Sequence, residues 1–277
     1  MIKITTLIEN NPDDNGELLF EHGLSLYIET NGTKILFDTG KSGDFLKNAK
    51  SLNKSLEELD FCIISHGHYD HSGGVIKLIS KISKYPRFIV GEEFFKLKYK
   101  TVETPYYIFN GNSFDEDFLR KNNVNLIKVK KDMIYLTNQI IVFHHFFRYT
   151  DYEKRNSRFY IKENEEYLPD DFDDEIVLGM ITDKGLVVVV GCSHVGIINI
   201  LKTISERVDI PIYAVVGGTH LIEADECRMQ KTMDALKEMK VQLIAVSHCT
   251  GEEGIQHMRQ ELKQQFHYNN TGNVIEI

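Results

Sequence analysis

The chain has 277 residues, of which 42% are hydrophobic, and a formal net charge of −9. That length supports a sizeable core, and we read it as one domain spanning residues 1–277. The acidic balance argues against a nonspecific nucleic-acid binder or an anionic-membrane binder, both of which need a basic surface, and leaves a small-molecule partner as the expectation.

In chain order, the first ten residues lack the apolar core of a signal peptide, and the strongest later apolar run, residues 186–190, is far too short to span a bilayer. The four cysteines have no CxxC spacing, so a cytoplasmic protein with reduced thiols is expected. Residues 3–8, 24–29 and 34–37 read as strands, the last two joined as a hairpin at Asn31-Gly32, a dipeptide that tolerates positive φ. His22, between Glu21 and Gly23, either faces a substrate cleft or belongs to a local turn. Asp38 closes the third strand; a carboxylate there either accepts the free N–H of a metal-bound imidazole or caps a turn with its own backbone.

The most informative stretch follows residues 59–65, a segment with the length and composition of a buried strand. His66, His68, Asp70 and His71 fall within six positions where that strand ends, and Val75 opens an amphipathic helical pattern. Buried imidazoles and acids are costly to desolvate unless paired or coordinated, so this density points to metal. His66 and His68 converge on one cation, while Asp70 and His71 are placed for a second. Imidazole with carboxylate suits Zn²⁺, or Fe²⁺ and Mn²⁺, over the all-oxygen shells of Ca²⁺ and Mg²⁺.

Residues 86–175 differ in composition and read as an inserted cap or substrate-facing segment. Aromatic residues with interspersed arginines around Arg148 suit either a flat heterocycle with a phosphate or an aromatic core under a long loop. His144 and His145, taken as neighbours on a strand, face opposite ways, and the acidic run 170–175 reads as a solvated connection. The last third repeats the opening scheme. Residues 185–191, 212–216 and 243–247 read as strands, each followed by a polar loop and a helical pattern. These loops offer Cys192 and His194, His220, and His248. His194 is expected as a third ligand of the first metal, and His220 as a ligand or a catalytic or substrate contact. Cys192 either adds a soft thiolate or lies beside the metals. Cys62 reads as core, Cys249 as packing behind a ligand, and Cys227 carries no signal.

The run His66-Gly67-His68-Tyr69-Asp70-His71-Ser72-Gly73-Gly74 resembles the signature of the metallo-β-lactamase fold superfamily. With residues 21–25, 35–40, 191–197, 217–221 and 248–251, the chain is similar over nearly its whole length to a narrower group, the 7,8-dihydropterin-6-yl-methyl-4-(β-D-ribofuranosyl)aminobenzene 5′-phosphate synthase-like proteins. The resemblance implies a four-layer αββα sandwich with the metals on one edge, and it matches His248 to the last ligand of the second metal. It also exposes departures. A bridging aspartate commonly stands where this chain has Cys192, and of the relatives' Thr-Gly-x-Ile-Pro-Arg only Arg148 is kept. His68 replaces the glutamate common in flavo-di-iron oxidoreductases of the superfamily, which favours hydrolytic chemistry.

The expected function is a metal-dependent hydrolase, or a transferase that releases a phosphate group, acting on a small phosphorylated or pterin-like substrate. One or two divalent ions, Zn²⁺ before Fe²⁺ or Mn²⁺, would ionise a water or activate a phosphate, with Asp70 orienting the nucleophile. Two alternatives remain at this stage: a thioester or lactone hydrolase of the same fold, and a metal-binding sensor without catalysis.

Overall fold

The β-branched runs form strands because each is apolar enough to be buried on a pleated surface. The structure, a computed structural model, describes residues 1–277 and divides into two compact units, one of residues 1–129, 156–174 and 270–277, the other of 130–155 and 175–269.

In the first unit a seven-stranded sheet runs, edge to edge, Val274–Glu276, Ile2–Ile8, Ser25–Thr30, Thr33–Phe37, Phe61–Ile63, Arg87–Gly91 and Leu126–Val129. The hairpin at Asn31-Gly32 is present, with Thr30 opposite Thr33. From Thr33–Phe37 onward the strands are parallel. Parallel strands need covered crossovers, and the helices Phe45–Ser51, Val75–Lys81 and Glu116–Lys121 supply them. Phe45, Ala49, Val75, Leu78, Ile79 and Leu119 pack with Leu36, Cys62, Phe88 and Val90 into one buried core.

In the second unit another seven-stranded sheet runs Phe266–Tyr268, Leu243–Val246, Ile212–Gly217, Gly185–Val190, Val177–Thr182, Ile140–Phe143 and Met133–Thr137. The first four of these are parallel. Helices Ile197–Arg207, Glu226–Glu238 and Gly251–Leu262 follow the three strands that end in candidate donors. Their buried faces, including Ile197, Ile200, Leu201 and Ile204, then Met229 and Met233, then Ile255 and Met258, have the spacing of amphipathic helices.

Residues 86–175 contribute more regular structure than composition suggested. They supply Arg87–Gly91 and Leu126–Val129 to the first sheet, two strands to the second, and a four-stranded antiparallel sheet of Glu166–Pro169, Phe159–Glu163, Leu97–Glu103 and Tyr106–Phe109. On one face of this small sheet Tyr107 stacks on Tyr167 with centroids 3.8 Å apart, and Tyr99 meets both Phe109 and Tyr167 edge-on. The strand before His144 ends at Phe143, so His144 and His145 do not alternate across a pleat. Their rings lie 3.9 Å apart, His145 taking a positive φ of 57°. No helix is long and apolar enough to cross a membrane.

The histidine loop is held close to the sheet by Gly73. A Cβ there would stand 2.1 Å from the Lys41 carbonyl oxygen and 2.5 Å from that of Tyr69. Gly73→Ala is therefore expected to destabilise the protein by about 1–3 kcal/mol, the usual cost of overpacking, read as a lower urea midpoint with an unchanged slope.

Candidate metal centre

In the first unit the donors lie just beyond the carboxyl ends of parallel strands, where a rigid sheet fixes loop geometry. Asp38 follows Thr33–Phe37 and takes a positive φ of 59°. Its side chain is fully buried. Oδ1 accepts the Ser65 N–H at 2.7 Å, and Oδ2 accepts the Ser65 hydroxyl at 2.8 Å and faces His71 Nδ1 at 2.6 Å. Because Ser65 gives its hydroxyl proton to Asp38, its oxygen accepts from His66 Nδ1, 2.9 Å away. One carboxylate thus places the ring protons of His66 and His71 on Nδ1 and leaves both Nε2 atoms with a lone pair.

His66 Nε2 lies 3.1 Å from His68 Nδ1. His66 and His71 ring centroids are 4.3 Å apart, and His71 Nε2 is 3.9 Å from Asp70 Oδ2. The four expected donors of this loop are therefore gathered together. Burial, followed by the neighbouring His71 and His68, holds the His66 pKa well below 6.5. The neutral ring is the form that binds a cation. His68 caps a short helix, Tyr69–Ser72, that lies inside what composition suggested was irregular loop. His22, half exposed, sets its Nε2 3.1 Å from Asp70 Oδ2. Gly23 allows that approach: a Cβ would meet the Asp70 carbonyl oxygen at 2.5 Å.

The acidic run 170–175 is not a solvated connection. Asp170, Asp174 and Glu175 are buried, and so is Phe172. Lys98, itself buried, sets Nζ 2.7 Å from Asp170 and 2.8 Å from Asp174. Burial alone would lower the Lys98 pKa, but the two aspartates outweigh it and raise it. Asp174 Oδ2 accepts the N–H of Gly67 at 2.7 Å, and Phe172 packs its ring edgewise on His68 at 5.4 Å. Hydrogen bonding and ion pairing, not solvent, satisfy these carboxylates.

In the second unit Cys192, His220 and Cys249 follow three adjacent parallel strands, and their donor atoms all lie within 4.8 Å of one another, all buried. His194 sits 4.4 Å from His220, ring to ring. His248 immediately precedes Cys249, and both His220 and His248 take positive φ, 48° and 54°. Such backbone is uncommon for non-glycine residues and concentrates at functional sites. Glu175 accepts the N–H groups of His194 at 2.9 Å and Val195 at 3.0 Å. Arg148 directs Nη1 to the carbonyl oxygens of Val195 and Glu153, fastening its own loop to the His194 loop. Cys249 was missed as a donor candidate; only its place after His248 hinted at it.

The donor chemistry fits a metal. The first unit offers imidazoles with set tautomers and a carboxylate, and the second offers two thiols and imidazoles, a soft set suited to Zn²⁺.

A family model described as the metallo-beta-lactamase superfamily matches residues 19–198. A Methanocaldococcus jannaschii protein named 7,8-dihydropterin-6-methyl-4-(beta-D-ribofuranosyl)-aminobenzene-5'-phosphate synthase is 34% identical, covering 100% of this chain and 97% of its own. A second protein of that organism, named only as uncharacterized, is 30% identical over 100% of both chains. A crystal structure titled a metal-dependent hydrolase of the beta-lactamase superfamily superposes with a TM-score of 0.87 at 29% identity, covering 100% of this chain and 99% of that one.

In the second unit the surroundings favour charge on both His220 and Cys249. Burial opposes charge on His220, but the neighbouring Cys249 and Glu223, as acceptors, outweigh it and push its pKa up to about 9. Burial likewise opposes the Cys249 thiolate, yet Cys192 and His220 hold its pKa well below 9.0. The raised histidine contributes stability below its unfolded 6.5 that is lost as pH rises through about 9. The depressed thiol contributes stability above 9.0 that is lost as pH falls through its lowered value. Between 6.5 and 9 the folded protein holds the histidine proton in place of the thiol proton, so the pair adds no slope to stability there. Metal-free protein at neutral pH should show thiolate ultraviolet absorbance, and His220→Asn should remove it. Equal absorbance in the variant would refute the pairing.

Proposed function

The chain belongs to the metallo-beta-lactamase superfamily, and from that premise we propose that it is a zinc-dependent enzyme of small phosphorylated substrates. In this reading His66, His68, Asp70 and His71 are metal ligands of the first unit, and Cys192, His194 and His248 are metal ligands of the second. The observation that carries it is the 3.1 Å approach of His66 Nε2 to His68 Nδ1, with Asp38 and Ser65 holding the His66 proton on the far nitrogen. Two nitrogens this close, one with its lone pair already set by the network, are arranged to share a cation.

Bound divalent ions supply Lewis acidity, bringing the pKa of water toward 7 and neutralising charge on a phosphate. Asp38 keeps His66 and His71 in the ligating tautomer throughout turnover. Asp70 Oδ2 takes a proton from the attacking water, and His22 Nε2, 3.1 Å away and half exposed, relays it to solvent. His220 is read as a catalytic residue of the second unit, where it lies beside Cys249. Arg148 holds the loop that follows Cys192 and His194 at a fixed height. The printed name of the Methanocaldococcus relative supports a pterin or ribosyl 5′-phosphate as the substrate class. Thiol donors at Cys192 and Cys249 require reducing surroundings, which supports a cytoplasmic location.

Metal analysis of the purified protein, paired with a screen of phosphomonoesters, phosphodiesters, pterin pyrophosphates, thioesters and lactones, tests the proposal. Stoichiometric zinc and turnover of a phosphate compound are expected. Asp38→Asn should weaken metal binding by about 10–100-fold, as loss of a ligand-orienting partner usually does. Full turnover by Asp70→Ala, or protein that takes up no divalent metal, would end the reading. Turnover of thioesters or lactones alone would remove the phosphate half and leave the metal half standing.

A further inference from the structure

We infer that Asp174 and Glu175, consecutive in the chain, are positioning residues, each setting the backbone of one donor loop; the inference rests on the metal reading above. Burying carboxylates is costly, so three in the run 170–175 demand a reason. Asp174 accepts the N–H of Gly67, the residue flanked by His66 and His68, so its bond fixes the backbone that carries both imidazoles. Glu175 uses one oxygen for the N–H of His194 and the other for that of Val195. The targets are thus the backbone of ligand-bearing residues in both cases, and a single peptide bond joins the two carboxylates.

The surroundings hold this dipeptide in place. Lys98 pairs with Asp170 and Asp174, and its ammonium lies 4.8 Å from the centre of the Phe172 ring. Gly91, at the end of a sheet strand, comes so close that a Cβ there would stand 2.1 Å from the Asp174 carbonyl oxygen. The run is therefore fixed to the first sheet through backbone contact as well as through charge. Displacement of residue 174 moves the acceptor of Gly67, and displacement of residue 175 moves the acceptors of His194 and Val195.

Amide substitutions isolate the effect because they keep shape while changing the number of acceptors. Asp174 offers two oxygens to two donors, Gly67 N–H and the Lys98 ammonium; asparagine has one acceptor oxygen and presents an NH₂ to the other donor. Asp174→Asn also leaves Lys98 and Asp170 as a balanced pair. Glu175→Gln sets the same conflict before His194 and Val195. Glu175→Asp keeps the charge and both acceptors on a shorter stem and serves as the milder variant.

Two measurements on the full chain decide the matter: backbone amide hydrogen exchange of the metal-free protein, and Co²⁺ affinity by competition with a chromophoric chelator. Asp174→Asn should speed exchange at Gly67, and Glu175→Gln at His194 and Val195. Each should also weaken Co²⁺ binding by about 10–100-fold, with Glu175→Asp intermediate. Unchanged exchange at these amides overturns the inference. Faster exchange with undiminished Co²⁺ affinity overturns it too, since the carboxylates would then be structural alone. Wild-type protein that takes up no Co²⁺ overturns the functional reading instead, and the inference then stands or falls on the exchange pattern.

Discussion

A single buried carboxylate, Asp38, decides what the histidine loop can do. An imidazole has two nitrogens, and only the one without a proton binds a cation. Asp38 makes that choice for His71 directly and for His66 through Ser65. Its positive φ lies in a region that costs an aspartate of order 1–3 kcal/mol. Surrounding structure holds it there: the Ser65 N–H binds its side chain, and the next residue, Thr39, donates both its N–H and its hydroxyl to the His71 carbonyl oxygen. The strained turn and the ligand helix are thereby locked to each other.

The two sheets use the same device. Each turns from antiparallel to parallel pairing part-way across, and each carries its donors just after parallel strands. Parallel strands are buried on both faces and move little, so the loops at their ends inherit rigid anchors. Carboxylates then finish the placement by accepting loop N–H groups: Asp174 in the first unit, Glu175 and Glu153 in the second, where Glu153 binds the N–H groups of Ile198 and Asn199. The sheet sets where each loop begins, and the buried acids then fix its backbone.

Local signals were legible and long-range ones were not. The strands bearing donors were readable because valine and isoleucine runs allow little else, and the histidine loop because four donors in six positions have few uses. Asp38 stands out in the sequence as a partner for an imidazole, but that the imidazole is His71, 33 residues on, leaves no mark in either neighbourhood. The acidic run 170–175 misled because charge alone reads as solvated, whereas its partner Lys98 stands 72 residues before Asp170. The four-stranded sheet stayed hidden for a related reason: its strands mix aromatic and charged residues on both faces, so no clean alternation appears. His144 and His145 were misplaced by extending a strand past Phe143, where the backbone turns.

The gathering of Cys192 and Cys249 beside His220 has a chemical cost of its own. A thiol held as thiolate is the species that peroxides attack, and oxidation to sulfenic acid or beyond would strip soft donors from the second unit. Air exposure during purification would therefore oxidise these cysteines gradually, with thiol reductants reversing only the earliest stage. Two thiols set beside an imidazole make a soft donor set, and softness toward metals comes with sensitivity to oxidants.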